Sequence, residues 1–226
     1  MDTRTSPALP FADRTQAGRL LAARLLDLKL APPITVLALP RGGVPVAAEV
    51  ARALHAPLDL VLVRKIGMPG QRELAVAAIA DGNPPCMVIE PSLWRDADLQ
   101  DHDVAQQRQQ ALIENERRRA VYLHGRAPLP LEGHTVVVVD DGIATGTSMR
   151  AALKALRARH PARLVLAVPV APADTLAALR GEVDQIVCLA QPAVFRAVGE
   201  HYVEFDQVDD QGVLAALTAA RDSVAV

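Results

Sequence analysis

Short runs of consecutive apolar residues alternate along this chain with longer stretches in which apolar positions recur every three or four residues, the pattern of β and α units that build a parallel sheet. A helix comes first. Asp13 is placed to cap it and Gln16 is its capping-box partner; the pattern runs from 14 to about 28, and Pro32-Pro33 prevents continuation. A strand is predicted at 35–39. A second helix starts near Pro45, where a missing N–H costs nothing, and runs to about Leu54. Residues 58–63 read as the next buried strand, and the basic segment 64–70, with Gly67, Pro69 and Gly70, as a mobile loop. The small apolar residues of 74–81 suit helix or strand, and with a turn at Asp81-Gly82-Asn83 a short strand pair ending near Glu90 is the reading adopted. From 98 to 123 the chain is charged, Gln-rich and free of Gly and Pro, which predicts one long exposed helix with Leu112 and Ile113 on its buried side. Val136 to Val139 read as a central strand and the alanine-rich 149–158 as the helix that packs back on it. A strand at 164–168, a helix at 173–179, a strand at 185–189 and a last helix from Gln211 complete the series.

Composition narrows the class. With 226 residues, half of them hydrophobic (50%), the chain can bury one sizeable core, so a single domain over 1–226 is expected. A formal net charge of -2 gives no footprint for nucleic acid, and 3% aromatic residues leave no stacking platform for bases in a strand. Cys86 and Cys188 belong to no metal-binding or redox pattern, so two reduced structural thiols and a cytoplasmic location are expected. The amino terminus lacks a basic-then-apolar leader, and no apolar run approaches the length of a bilayer span, so no membrane partner is expected. The six histidines are scattered without ligand spacing, which disfavours a metal hydrolase, and no GxGxxG follows either early strand, which disfavours a dinucleotide site.

The chemistry concentrates after the valine strand. Asp140 and Asp141 stand at its carboxyl end, followed by Gly142-Ile143-Ala144-Thr145-Gly146-Thr147-Ser148, a small-residue turn that opens a helix. In an open α/β sheet that edge is where ligands bind, and the amides of 145–148 with the hydroxyls of Thr145, Thr147 and Ser148 suit an anion. Paired acids beside an anion cradle make sense for a ligand that also carries a diol and a divalent metal. Pro40-Arg41-Gly42-Gly43 after the first strand is a second candidate cradle.

The run from Val136 to Ser148 resembles the phosphoribosyl pyrophosphate (PRPP) motif of type I phosphoribosyltransferases. Arg41-Gly42-Gly43 resembles the pyrophosphate loop of these enzymes, which commonly carries a non-proline cis peptide, and residues 64–73 resemble their flexible hood loop. Phe11-Ala12-Asp13-Arg14, Arg64-Lys65-Ile66-Gly67 and Phe195-Arg196-Ala197-Val198-Gly199 with Tyr202 and Phe205 further resemble bacterial phosphoribosyltransferase-domain proteins of undefined substrate. The resemblance implies an α/β fold with a central, mostly parallel sheet flanked by helices, a core over about 14–190, and a small hood from about 64–95 and 191–226. It implies transfer of a 5-phosphoribosyl group from PRPP to a nitrogen nucleophile of a small-molecule acceptor, a nucleobase, with release of pyrophosphate. Ala144 to Ser148 would hold the 5-phosphate, Arg41, Gly42, Gly43, Arg64 and Lys65 the pyrophosphate, and Asp140 and Asp141 the ribose hydroxyls. Mg²⁺ would sit near the two aspartates through water and PRPP, and Asp140, Asp141, Lys65 and Arg41 form the implied catalytic set. Related enzymes pair, which implies a homodimer. One departure stands out: 6-oxopurine enzymes carry an acid where this chain has Ala144, and a methyl group moves no proton, so hypoxanthine and guanine are disfavoured acceptors. A regulator that binds PRPP or a nucleotide without catalysis is the alternative, and the cations Arg64 and Lys65 argue for the enzyme.

Overall fold

Five largely buried strands form the central sheet, and burial on both faces explains why a run such as 136–139 is unbroken and apolar. They are β1 (Ile34–Ala38), β2 (Leu58–Leu60), β6 (Thr135–Val139), β7 (Arg163–Val170) and β8 (Gln185–Ala190), in the order β2-β1-β6-β7-β8, all parallel. The computed structural model describes residues 7–82, 84–124, 126 and 128–222, apart from the side chains of Arg72, Glu73 and Asp222. Asn83, in the expected turn, and the two ends of the 1–226 span lie outside the described residues.

Alternate residues of each strand feed two separate cores. Val36, Ala38, Val137 and Val139 pack with α1 (Arg14–Leu26), α2 (Gly43–Leu54) and α7 (Asp210–Asp222). Leu37, Val136 and Val138 pack on the other face with α5 (Thr147–Arg157) and α6 (Ala173–Leu179). That split follows from the two-residue period of a strand. From β1 the chain winds outward to β2, then returns to place β6 on the other side of β1. The strand order therefore reverses between β1 and β6, and a crevice opens above their carboxyl ends.

Between β2 and β6 stands a second sheet of three antiparallel strands, β3 (Val63–Met68), β4 (Gln71–Ala80) and β5 (Cys86–Ile89). Ile66 and Ile79 pack with α4 (Asp101–Leu123), while Ala78 and Ala80 meet Ala151 and Ala155 of α5. Segment 64–70, expected as a loop, is thus the strand β3 and a turn, with Gly70 at φ 79. Ladder pairing to β4 fixes it. The strand expected over 58–63 stops at Leu60, because Val63 already belongs to the new sheet.

The long helix expected over 98–123 is α4, which starts at Asp101 with Gln100 capping it through Asp103; a short helix that was not expected, α3 (Pro91–Asp96), precedes it, with Asp98 at φ 49 between them. The buried face of α4 runs through Val104, Ala111, Asn115 and Tyr122, so Leu112 is half-buried and Ile113, expected inside, is exposed. At α1 the Asp13 side chain accepts from Gln16 N–H at 2.7 Å, as its position predicts, and the helix ends at Leu26. Among the described residues no helix is long and apolar enough to cross a membrane.

Candidate functional site

The two turns flanking the crevice touch each other. Leu39 N–H donates to the Val139 carbonyl, which extends the β1–β6 ladder into the turns themselves. Beyond it come a cis Pro40–Arg41 peptide and the two glycines that open α2. A Cβ at Gly42 would lie 2.0 Å from Asp141 Oδ2, and one at Gly43 2.9 Å from the Asp140 Cα. No side chain fits there, so these glycines let one backbone turn press against the paired acids. Gly43 N–H donates to the Leu39 carbonyl at 3.1 Å, which removes that amide from the anion-binding role expected of it.

After β6 the second turn runs over Gly142, Ile143, Ala144 and Thr145 to Gly146, which takes φ 77 and precedes α5. Ile143 N–H donates to the Val170 carbonyl, and Thr175 Oγ1 donates to the Ala144 carbonyl at 2.7 Å, so α6 braces the turn from behind. Ala144 and Thr145 are exposed, and Thr147 and Ser148 half-buried. No side chain caps α5, and its first turn holds no acid. Its leading N–H groups and dipole are left facing the crevice, a setting that favours an anion.

Asp140 and Asp141 are not equivalent. Asp141 Oδ2 accepts from Arg14 Nε at 2.8 Å, and the two side chains are only 13% and 12% exposed. Arg14 is itself fixed, since its Nη1 donates to the Asp206 carbonyl at 2.8 Å and its guanidinium lies 3.8 Å over the Phe205 ring. Tyr202 supports the same turn by donating its hydroxyl to the Asp141 carbonyl at 2.5 Å. Burial, then the charge of Asp141, pushes the Tyr202 phenol far above its ordinary value and keeps it a donor. Burial raises both carboxyls, but Arg14 draws Asp141 back, while Asp140 is raised well above the carboxylate range by burial and by Asp141 beside it. The negative charge at Asp140 is the less compensated one.

Of the residues expected at the site, Asp140, Asp141, Gly42, Gly43 and the 144–148 turn come together at the crevice. Arg41 stands at its edge, with Nη1 3.7 Å from Asp210 Oδ1 in the first turn of α7. Arg64 and Lys65 do not join them. Arg64 lies 3.7 Å from Glu114 on α4 and Lys65 is exposed on β3, with no hydrogen bond or ion pair to either turn among the described residues. The large aromatics serve packing: Phe11, Tyr202 and Phe205 form a chain of tilted ring contacts at 5.4 and 5.0 Å. The roles of Arg14 and of the Tyr202 hydroxyl went unread in the sequence. The signal available was the pairing of the Phe11–Arg14 and Phe195–Phe205 motifs at opposite ends of the chain.

Comparison with known proteins bears on what this crevice does. The phosphoribosyl transferase domain model matches residues 13–204. A Mycobacterium tuberculosis protein named "Putative phosphoribosyl transferase Rv0571c" is 46% identical over 210 residues, 93% of this chain and 47% of that protein. The chain thus spans about half the length of the curated relatives it matches. The crystal structure of TT1426 from Thermus thermophilus is similar with a TM-score of 0.75 at 43% identity, covering 92% of this chain and 98% of that one. A Neisseria gonorrhoeae protein solved with bound ppGpp shares the fold at a TM-score of 0.51 and 15% identity, over 97% of this chain and 100% of that one.

Proposed function

This chain belongs to the phosphoribosyl transferase domain family, and from that membership we propose that it transfers the 5-phosphoribosyl group of PRPP to a nitrogen of a nucleobase, with release of pyrophosphate. One observation carries the reading: a turn with two acids and an uncapped helix start lies in contact with a glycine turn at the reversal point of a parallel sheet. In that arrangement the amides of 145–148 and the Thr145, Thr147 and Ser148 hydroxyls hold the 5-phosphate. Asp140 accepts from the ribose diol and lies beside the carbon from which pyrophosphate departs. As the C1–O bond breaks, its electron pair leaves with pyrophosphate and positive charge spreads onto the ring oxygen. The acceptor nitrogen then supplies the pair for the new bond and gives up its proton to solvent. A half-buried carboxylate there stabilises that cation by position rather than by covalent attack.

Asp141 has a supporting role, because Arg14 already holds its carboxylate and the shape of the turn depends on the pair. Arg41 and Gly42 receive the pyrophosphate. Lys65, on β3, joins them only if the hairpin moves over the crevice, so 64–95 is the hood over a core of about 14–190, while the tail expected to complete the hood, 191–226, lends α7 to the main core instead. Family membership also implies Mg²⁺, and the donor set fits a loosely held ion. Among the described residues no cluster of three or more His, Cys, Asp or Glu could cage a metal, while Asp140 offers a carboxylate with little compensation. Mg²⁺ commonly binds through one or two carboxylates with water and substrate phosphates. When bound, the ion neutralises charge on the departing pyrophosphate.

The test is pyrophosphate release from PRPP and Mg²⁺ with a panel of nucleobases and pyridines. Adenine-type and orotate-type acceptors are the first to try, since Ala144 offers no acid for a 6-oxopurine. The Asp140→Asn, Asp141→Asn double variant is expected to lose about 10²–10³-fold in rate or more while keeping its fold. Full activity in that variant overturns the assignment. PRPP binding with silence across the panel points instead to a regulatory binding protein.

A further inference from the structure

One short stretch of the tail reaches both turns of the crevice. The Phe205 ring lies against the Arg14 guanidinium and the Asp206 carbonyl accepts from it, which ties the stretch to Asp141 through Arg14. Four residues on, Asp210 opens α7, and its Oδ1 lies 3.7 Å from Nη1 of Arg41, the residue that precedes the two glycines.

Asp210 is itself held. The same Oδ1 accepts from the Tyr122 hydroxyl at 2.6 Å, and Tyr122, on α4, is wholly buried. Burial, then the bond to Asp210, pushes that phenol up to about 12, so it stays a donor at neutral pH. An acid in the first turn of α7 is also favoured by the helix dipole. Arg41 is engaged differently. A separation of 3.7 Å is an ion pair and too long for a hydrogen bond, so the guanidinium spends none of its N–H groups on Asp210. It makes no other ion pair and no hydrogen bond among the described residues, and the side chain is 30% exposed. Five donors in a planar fork are therefore oriented by a fixed charge and still unspent, the form in which arginine takes a phosphate group with little further loss of rotamer freedom.

We propose that Asp210 and Tyr122 are positioning residues for Arg41: the buried tyrosine fixes the carboxylate, and the carboxylate holds the guanidinium at the crevice edge with its fork free for pyrophosphate. The inference rests on the phosphoribosyl transfer proposed above, in which Arg41 receives that group. Other cations stand close by, since Arg117 feels the charge of Asp210 and Tyr122 that of Arg118. Without the carboxylate, Arg41 is left to their repulsion. The sign of the effect separates this role from a bystander's. An acid that merely sits near an anion site weakens binding by repulsion, so neutralising it tightens the complex. Neutralising an acid that positions the binding group loosens it.

Inorganic pyrophosphate with Mg²⁺, titrated calorimetrically into the full chain, is the probe. Asp210→Asn keeps an acceptor for the Tyr122 hydroxyl and removes the charge, and is expected to weaken binding about threefold or more. Tyr122→Phe keeps the charge but frees it, and is expected to act in the same direction. In an Arg41→Gln background both effects should vanish, whereas damage to the fold around α7 weakens binding with or without Arg41. Tighter binding in Asp210→Asn, or an equal loss in both backgrounds, overturns the proposal. Weakening by Arg41→Gln with none by Asp210→Asn overturns it too and leaves the phosphoribosyl reading intact. A parent chain that takes up no pyrophosphate overturns that reading, and the inference with it.

Discussion

At the residue scale the paired acids divide their labour by environment. Asp141 has a cation, a tyrosine and a glycine contact that fix it, whereas Asp140 faces burial and a neighbouring negative charge with no cation of its own. The fold thus bears an electrostatic cost at Asp140 that a bound cationic centre would relieve. The cost depends on pH in a definite direction. Well below the ordinary carboxylate range, Asp140 is protonated in folded and unfolded chains alike and costs nothing. Between that range, about 3.9, and its raised folded value, the folded chain keeps a proton that the unfolded chain releases, so this contribution to stability falls as pH rises. Above the raised value the full penalty remains. Asp140→Asn removes the ionisable group, and its Oδ1 can still accept from Asp141 N–H. The ligand-free variant should therefore melt above the parent at pH 7, each kcal/mol of relief appearing as about 2–4 °C at this chain length, and the gain should vanish near pH 3. Thermal melts across that range check it; a gain that is absent at neutral pH, or that grows on acidification, refutes the account.

At the element scale, what the sequence reveals depends on how local the cause is. The strands of the central sheet are legible because burial on both faces leaves Val136 to Val139 wholly apolar, and the acid and glycine turns are legible because each is a contiguous motif. The hairpin of β3 and β4 is not, since a basic segment with two glycines suits a loop as well as a strand. What decides is pairing with β4 and contact with α4. A register shift at Ile66 and Gly67 is held by Gln107, forty residues on, whose amide accepts from Gly67 N–H at 3.1 Å and donates to the Gly67 carbonyl at 3.0 Å. The Arg14–Asp141 pair, 127 residues apart, was hidden for the same reason, and Ile113 was misassigned because helix period alone does not say which stripe meets a neighbour. If Gln107 clamps the irregularity, Gln107→Ala should raise hydrogen exchange at Gly67 and its β3 neighbours by roughly 5–30-fold, the equivalent of one or two kcal/mol. Amides of β6 and β7 should keep their protection. Unchanged exchange at Gly67 would show that the ladder holds the shift without the helix.

At the scale of the whole molecule, both ends of the described chain converge on the acid turn. Phe11 N–H donates to the His201 carbonyl and Val203 N–H to the Phe11 carbonyl, both at 2.8 Å, and Phe11 stacks against Tyr202. Gly142 admits Val198, because a Cβ there would lie 2.5 Å from its Cγ1. The tail around 191–206 has no regular element beyond the 3-10 turn Val198–His201, so side chains and these few bridges hold it in place of a ladder. Segments fastened in this way open at lower free energy than a central sheet. Arg196, exposed in this tail, offers trypsin a cut whose rate reports that opening. Arg14→Met keeps an apolar stem but removes the cation over Phe205 and the donor to Asp206, and leaves the Asp141 carboxylate buried without its partner, the costliest way to break such a pair. Cleavage after Arg196 should then quicken about tenfold or more, tenfold for each 1.4 kcal/mol lost. Adding Asp141→Asn to Arg14→Met should recover part of that protection, because the stranded charge is gone while the lost donor is not. If PRPP with Mg²⁺ engages the same turn, it should slow the cut in the parent chain by mass action on the closed state. A cleavage rate indifferent to Arg14 would mean that the tail is held by the Phe11 and Tyr202 contacts alone, and that the acid turn owes its shape to the sheet.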